Sequence, residues 1–214
     1  MHPVNCPQWE YSHYPNAKEI LNHETQSILI DLRKGYLDTA KSSTDSRVVH
    51  RLLFSQLTPP EHDYFAGHYR GEDFLCLKEC RVGVGGDMRV GYHPRIIIEK
   101  MDQFGEAISL GIKKLDIIHQ PSEAQLSPID KLLNTVAFAC EVFVEMLTVH
   151  PYANGNGHAA RFILWSILGR YGYWPVHFPI EPRPPHPWYV DCINKYRNGN
   201  KQPLEAYILQ CIIG

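Results

Sequence analysis

Apolar positions along the chain fall into helical registers separated by short polar or Pro- and Gly-rich breaks. Over residues 16–40, Ile20, Leu21, Ile28, Leu29, Leu32 and Leu37 recur at spacings near three and four, which predicts a helix. A shorter helix is predicted over residues 45–56 and is ended by Thr58-Pro59-Pro60. His93-Pro94 opens a long helix, IIIEKMDQFGEAISLGIKKLDII, which breaks at Gln120-Pro121-Ser122. Ser127 then offers a cap and Pro128 a first helical position. The helix that follows carries Leu132, Val136, Ala139, Cys140, Phe143, Val144 and Leu147. It is apolar on most sides, which places it in the middle of a domain. It ends near His150, and a second apolar helix, ARFILWSILGRYGYW, begins a few residues later. The Pro-rich IEPRPPHPW reads as a linker before helices over residues 188–196 and 203–213.

Two segments differ in texture. The first fifteen residues are rich in Pro, His and aromatics and read as irregular. In AGHYRGEDFLCLKECRVGVGG, Val82 and Val84 alternate with Gly83 and Gly85. Gly85-Gly86-Asp87 then makes a turn, and residues 88–92 run back through Val90. That pattern predicts a short β-hairpin.

Composition narrows the class. A length of 214 residues suits one compact unit, here divided as a helical extension over 1–60 and a core over 61–214. The formal net charge of −2 provides no basic stripe for nucleic acid. Most histidines are scattered (His2, His13, His23, His50, His62, His68) and read as surface polar residues. The six cysteines form no CxxC pair and read as free, mostly buried thiols in a reducing cytoplasm. The start, MHPVNCPQWE, lacks the pattern of a signal peptide. No apolar stretch reads as long enough to span a bilayer, so no membrane partner is expected.

The candidate chemistry lies in HPYANGNGHAAR, residues 150–161. A hairpin turn at NGNG needs alternating strands on both sides, and both flanks have helical period and length. A plain helix–loop–helix turn accounts for Gly155 and Asn156 as caps and leaves His150 and Arg161 unexplained. Glycines at a helix start let backbone N–H groups converge where the helix dipole is positive, a nest for phosphate oxygens. Arg161 lies about one turn into the helix and can close over an anion. A histidine of pKa about 6.5 suits a base near neutrality. Base, nest and cationic clamp together describe transfer of a phosphate-containing group to a hydroxyl. A Walker P-loop is excluded by the missing Gly-Lys-Ser/Thr ending, and a dinucleotide fold by the missing strand.

This stretch resembles the signature of the Fic family, His-x-Phe-x-Asp/Glu-Gly-Asn-Gly-Arg-x-x-Arg. The likeness extends over residues 65–213: to AGHYRGEDFLCLKECRVGVGG and GYHPRIIIEKM before the signature, and to RFILWSILGRYGYWPV and YVDCINKYRNGNKQPLEAYIL after it. The resemblance implies an all-α helical bundle with a small β-hairpin flap beside the active site. It implies transfer of AMP from ATP to a Ser, Thr or Tyr hydroxyl of a target protein. By position, His150 is the base and Tyr152 replaces the Phe that anchors the loop. Gly155, Asn156, Gly157, the residue at His158 and Arg161 hold phosphates, Asn154 stands at the Mg²⁺ position, and the flap (Val82, Gly83, Val84, Gly85, Val90) pairs with the target as an added strand.

Two positions depart from that signature. Its acidic metal ligand is Asn154, which implies weakly held Mg²⁺. Its first arginine is His158, which the helix dipole keeps mostly neutral. An arginine–phosphate pair lost there costs about tenfold to a hundredfold in polyphosphate affinity. Three readings follow: a nucleotidyltransferase with a modified pocket, a Doc-like transferase of another phosphate group, and a non-catalytic Fic-fold binding protein. No Ser/Thr-x-x-x-Glu-Gly/Asn inhibitory stretch is found in either terminal region, so the resemblance implies restraint by a separate partner, for which a small helical antitoxin or regulator is expected, or no restraint. The location expected is the cytoplasm, or that of a delivered effector.

Overall fold

The computed structural model describes residues 6–121, 126–185 and 187–213. Its α-helices are α1 (Ala17–Lys34), α2 (Thr39–Thr44), α3 (Arg47–Phe54), α4 (Ile97–His119), α5 (Pro128–Val149), α6 (Asn156–Arg170), α7 (Trp188–Arg197) and α8 (Gln202–Ile213). The fold is all-α, as the apolar spacing predicts. Residues 16–40 divide into two helices. At Gly35 the backbone turns left-handed (φ +76°), and the N–H groups of Gly35 and Tyr36 close onto the last carbonyls of α1. Asp38 then caps α2 by accepting from the Lys41 N–H at 2.7 Å.

The helix α5 starts as its sequence predicts, with Ser127 Oγ accepting from the Asp130 N–H at 3.1 Å. It packs against α4, α6 and α8, while α2 rests on α4 and α6. Close approach needs small residues at two contacts. A Cβ on Gly111 of α4 would overlap the Phe138 ring of α5, and one on Gly169 of α6 would overlap Trp174. At 22 residues, α5 is long and apolar enough to cross a bilayer, contrary to the expectation that no such stretch exists. Much of it is buried within the bundle. The helix α6 is buried on nearly every side, from Asn156 to Gly169. These two helices carry the loop at residues 150–155 between their ends.

Three expectations are corrected. The segment over residues 82–90 doubles back, with Asp87 N–H donating to Val84 O at 2.9 Å, but it forms no strand among the described residues. Two glycines at its tip and the tie of its return arm to α5 (Gly91 N–H to Thr148 O, 2.9 Å) make it a hairpin-shaped loop without a ladder. His50 is fully buried in α3 and is no surface residue; His2 lies outside the described residues. Cys6 and Cys76 are disulfide-bonded, so only Cys80, Cys140, Cys192 and Cys211 are free thiols.

That disulfide tethers a segment which is otherwise held by a few contacts. Trp9 donates to Leu57 O at 2.6 Å and stacks on Phe65 at 5.4 Å. Cross-linking across 70 residues stabilises a chain by about 4 kcal/mol when loop entropy dominates. Reduction by dithiothreitol, or Cys76→Ser, is expected to lower the melting temperature by several degrees. A melting curve indifferent to both would show that the link does not constrain the fold.

Candidate active site

The site begins where α5 ends. His150 caps that helix in the left-handed region (φ 55°, ψ 57°), a conformation few side chains other than Gly and Asn adopt readily. A buried guanidinium over-determines it. Arg70 donates to His150 O from Nε (3.0 Å) and Nη2 (2.6 Å), to Cys80 O (3.0 Å) and to Tyr92 O (3.1 Å). Its own N–H donates to Pro151 O at 2.8 Å. Arg70 is fully buried, and burial lowers its pKa to about 10, so it stays charged at neutral pH. One side chain thus joins the end of α5, the flap's outgoing arm at Cys80 and its return arm at Tyr92. Its donors are spent on the protein's own carbonyls, so Arg70 fastens the fold and is not a ligand contact.

The imidazole of His150 is held in one tautomer. Nδ1 lies 3.1 Å from Leu147 O, and a carbonyl only accepts, so Nδ1 carries the proton. Nε2 is left with a lone pair and no partner among the described residues. Burial lowers the pKa of this histidine to about 4, the Leu147 carbonyl opposes the shift, and Arg70 and Arg197 add to it. The ring is neutral at pH 7, the state a proton acceptor needs.

His150 lines two cavities. One, of about 750 Å³, is bordered by Val82 and Gly83 of the flap, by Glu10 and Asn154, and by the disulfide. The other, of about 660 Å³, is bordered by Gly157, Arg161, Arg183, Tyr189 and Arg197, with Val84, Gly85 and Val90 of the flap on its rim. The flap therefore straddles both cavities at the histidine.

The motif loop is pinned from below. Tyr152 is fully buried; its hydroxyl meets Ser46 Oγ at 2.9 Å and its ring stacks on His50 at 3.7 Å. Gly67 N–H donates to His50 Nδ1 (2.9 Å), so His50 Nε2 bears the proton and donates to Asn154 O (3.0 Å). Burial lowers the pKa of His50 to about 3. The Asn156 amide reaches back to Tyr152, accepting from its N–H (2.8 Å) and donating to its O (2.9 Å). Sequence reasoning had no signal for His50, a lone histidine 100 residues before the motif in a register that also fits a surface.

The expected phosphate residues separate into two groups. Gly157 and Arg161 line the arginine-rich cavity. The N–H groups of Asn156 and Gly157, at the start of α6, make no hydrogen bond among the described residues. Arg161 is 2% exposed; it donates to Ile180 O at 2.8 Å and has no carboxylate within 4 Å among the described residues. A Cβ on Gly157 would lie 3.1 Å from Arg161 Nη1, so glycine lets the guanidinium approach the helix start. The other group faces elsewhere. Gly155 (φ +76°) backs onto Phe54 and His50, and its N–H donates to Asn154 Oδ1 at 2.8 Å. The Asn156 side chain is committed to Tyr152. His158 donates to Glu181 at 2.7 Å and packs edge-on against Phe54 and Tyr11. Burial keeps its pKa low despite that carboxylate, which agrees with the neutral histidine expected.

The Mg²⁺ position fares differently. Asn154 donates to Trp9 O (3.1 Å) and approaches Glu10 Oε2 (3.4 Å), while its oxygen accepts from Gly155 N–H. It lines the flap-side cavity and not the one holding Gly157 and Arg161. No cluster of three His, Cys, Asp or Glu side chains capable of holding a metal occurs among the described residues. A hard cation wants charged oxygens, and this amide, already turned to other partners, does not fit a protein-held Mg²⁺ site.

No family model matches the chain. Its curated relatives include the protein adenylyltransferase Fic of Nematostella vectensis, 29% identical over 86 residues, which are 40% of this chain and 19% of that protein. The enzyme of the same name from Culex quinquefasciatus is 29% identical over 80 residues, 37% of this chain and 15% of that one. The crystal structure of BepC, a VirB-translocated effector from Bartonella tribocorum solved with AMPPNP, shares the fold. Its TM-score is 0.59 at 19% identity, over 92% of this chain and 86% of that one. The chain is thus similar to Fic adenylyltransferases over part of its length and shares the fold of a Fic-type effector structure. The match to these curated relatives spans less than a fifth of their length. Within residues 150–161, His150 and Arg161 border the arginine-rich cavity and Tyr152 is buried beneath the loop, while the side chains of Asn154 and His158 turn to other partners.

Two outcomes follow from this geometry. Lysine cannot fork to the carbonyls that Arg70 bridges, so Arg70→Lys should destabilise the fold by about 1–3 kcal/mol in denaturant titration; an unchanged midpoint would remove Arg70 as the clamp. His50, His150 and His158 are all held neutral with folded pKa values below the ordinary 6.5. Between pH 6.5 and about 4 the unfolded chain therefore binds more protons than the folded one. Stability is full above pH 6.5 and should fall on acidification toward pH 4 by about 1.4 kcal/mol per pH unit for each of His50 and His150, with His158 adding in the same direction. Equal unfolding midpoints at pH 7.5 and 5 would contradict the buried neutral state.

Proposed function

We propose that this chain transfers the AMP moiety of ATP, or another nucleoside monophosphate, to a hydroxyl side chain of a target protein. The observation that carries this reading is the position of His150, with a free Nε2, on the shared border of two cavities. The cavity of Gly157 and Arg161 receives the nucleotide, its phosphates against the free N–H groups of Asn156 and Gly157 and the Arg161 guanidinium. The flap-side cavity receives the target segment, with the flap backbone free to pair with it.

The step balances as follows. The target hydroxyl oxygen attacks the α-phosphorus, its proton passes to His150 Nε2, and the bond to the bridging oxygen of the β-phosphate breaks. Pyrophosphate leaves with the electron pair, and the charge that develops lies against the N–H groups and Arg161. A bound polyphosphate also raises the proton affinity of the imidazole, offsetting the effect of burial. No step is routed through a metal, because the Asn154 donor set does not fit one. The adenylyltransferase names of the relatives and the AMPPNP in BepC support the same reaction class.

The test uses ATP labelled at the α- or the γ-phosphorus, incubated with lysate and the protein or its His150→Ala variant. Adenylyl transfer predicts His150-dependent protein label from α-labelled ATP alone, with Arg161→Ala lowering it at least about tenfold. Label from the γ-position would make the chain a phosphotransferase. Label independent of His150, or absent with both labelled forms of ATP, would leave a binding module.

A further inference from the structure

The arginine-rich cavity holds more positive charge than the motif supplies. Arg89, Arg161, Arg183 and Arg197 border it against a single carboxylate, Asp87. Asp87 is taken by Arg89, which donates to it from Nε and Nη2 at 2.9 Å each. Arg183 and Arg197 have no carboxylate within 4 Å among the described residues.

Arg197 ends α7, where the helix dipole favours any cation, and solvation alone accounts for many such residues. Here it does not. Arg197 is half-buried, and its Nε is a buried donor with no acceptor among the described residues. That nitrogen is closed to solvent, but the residue borders the cavity, so its guanidinium brings there a charge that no carboxylate within 4 Å meets among the described residues. Arg183 reaches the cavity from the other side. Its loop is fastened at Ile180 O by Arg161 and at Glu181 by His158. The pairing that takes His158 out of the phosphate site is thus the one that fixes the segment presenting Arg183. Tyr189 sits among these guanidinium groups, its hydroxyl 3.5 Å from Arg161 Nη1.

We propose that Arg183 and Arg197 grip the outer phosphates of the ligand, supplying the cationic contacts that His158 does not make and the charge neutralisation that a metal at Asn154 would give. The ligand class is a polyphosphate ester, and its binding needs no divalent cation. This rests on the nucleotide reading of the cavity and specifies how that ligand is held.

Titration calorimetry in EDTA with ATP, AMP and inorganic tripolyphosphate tests it. The variants are Arg183→Ala, Arg197→Ala and, as a charge-matched control on the exposed face of α4, Lys113→Ala. Loss of either arginine is expected to weaken ATP and tripolyphosphate about tenfold or more and AMP by less than about threefold. The control should bind as the parent does, and added Mg²⁺ should change the ATP affinity by less than about twofold. Because Arg183 is exposed, its variant remains informative even if Arg197→Ala fails to fold. Affinities unchanged by Arg183→Ala, or ATP binding that appears only with Mg²⁺, overturn the proposal. So does a parent protein that binds none of the three probes. Arginine-dependent binding of tripolyphosphate without any gain from the nucleoside would keep the cationic grip and remove the nucleotide reading.

Discussion

A single buried guanidinium sets the geometry on which the site depends. Arg70 has no carboxylate partner within 4 Å among the described residues, and it satisfies its charge on backbone carbonyls from three separate segments. A buried cation is costly unless its donors are met, so this arrangement permits little drift in any of the segments it joins. It holds His150 in a left-handed turn and brings the two arms of the flap to the same point. The base and the flap are therefore positioned relative to each other by one residue, 80 positions before the base and 10 before the flap's outgoing arm at Cys80.

Below the loop a second set of contacts does comparable work. The stacked His50–Tyr152 pair, the Ser46 hydroxyl and the Asn156 amide leave the motif backbone few alternatives. The motif asparagine holds the loop closed with its side chain, and its own N–H stays free at the start of α6. Signature residues thus divide by atom as well as by position. Side chains fix the turn, and the groups left over face the cavity.

Most of the helical layout was legible in the apolar spacing, because α4 and α5 bury regular stripes and carry plain start signals such as Ser127-Pro128. The hairpin was overcalled: Val82-Gly83-Val84-Gly85 has the alternation of a strand, but the glycines and the ties to α5 leave no ladder. The break at Gly35 was hidden inside continuous apolar spacing. In the site, the base and last arginine could be found from the motif alone. The partners of His158 and Asn154 could not, since Glu181, Trp9 and Glu10 carry no motif and meet the loop only through folding. Arg183 and Arg197 were invisible for the same reason, one in a Pro-rich linker and the other at an ordinary helix end. The Cys6–Cys76 bond joins residues 70 apart, and nothing in their local sequence marks them as a pair.

The central claim is that the start of α6 binds phosphate beside a neutral histidine with its Nε2 free. Nuclear magnetic resonance of ¹⁵N-labelled protein addresses both halves at once. The account predicts an Nδ1-protonated His150 at pH 7, and amide shifts at Asn156 and Gly157 as ATP is added, with the His150 Nε2 resonance moving alongside them. A doubly protonated or Nε2-protonated ring, or nucleotide-induced shifts confined to residues away from these two amides, would contradict it.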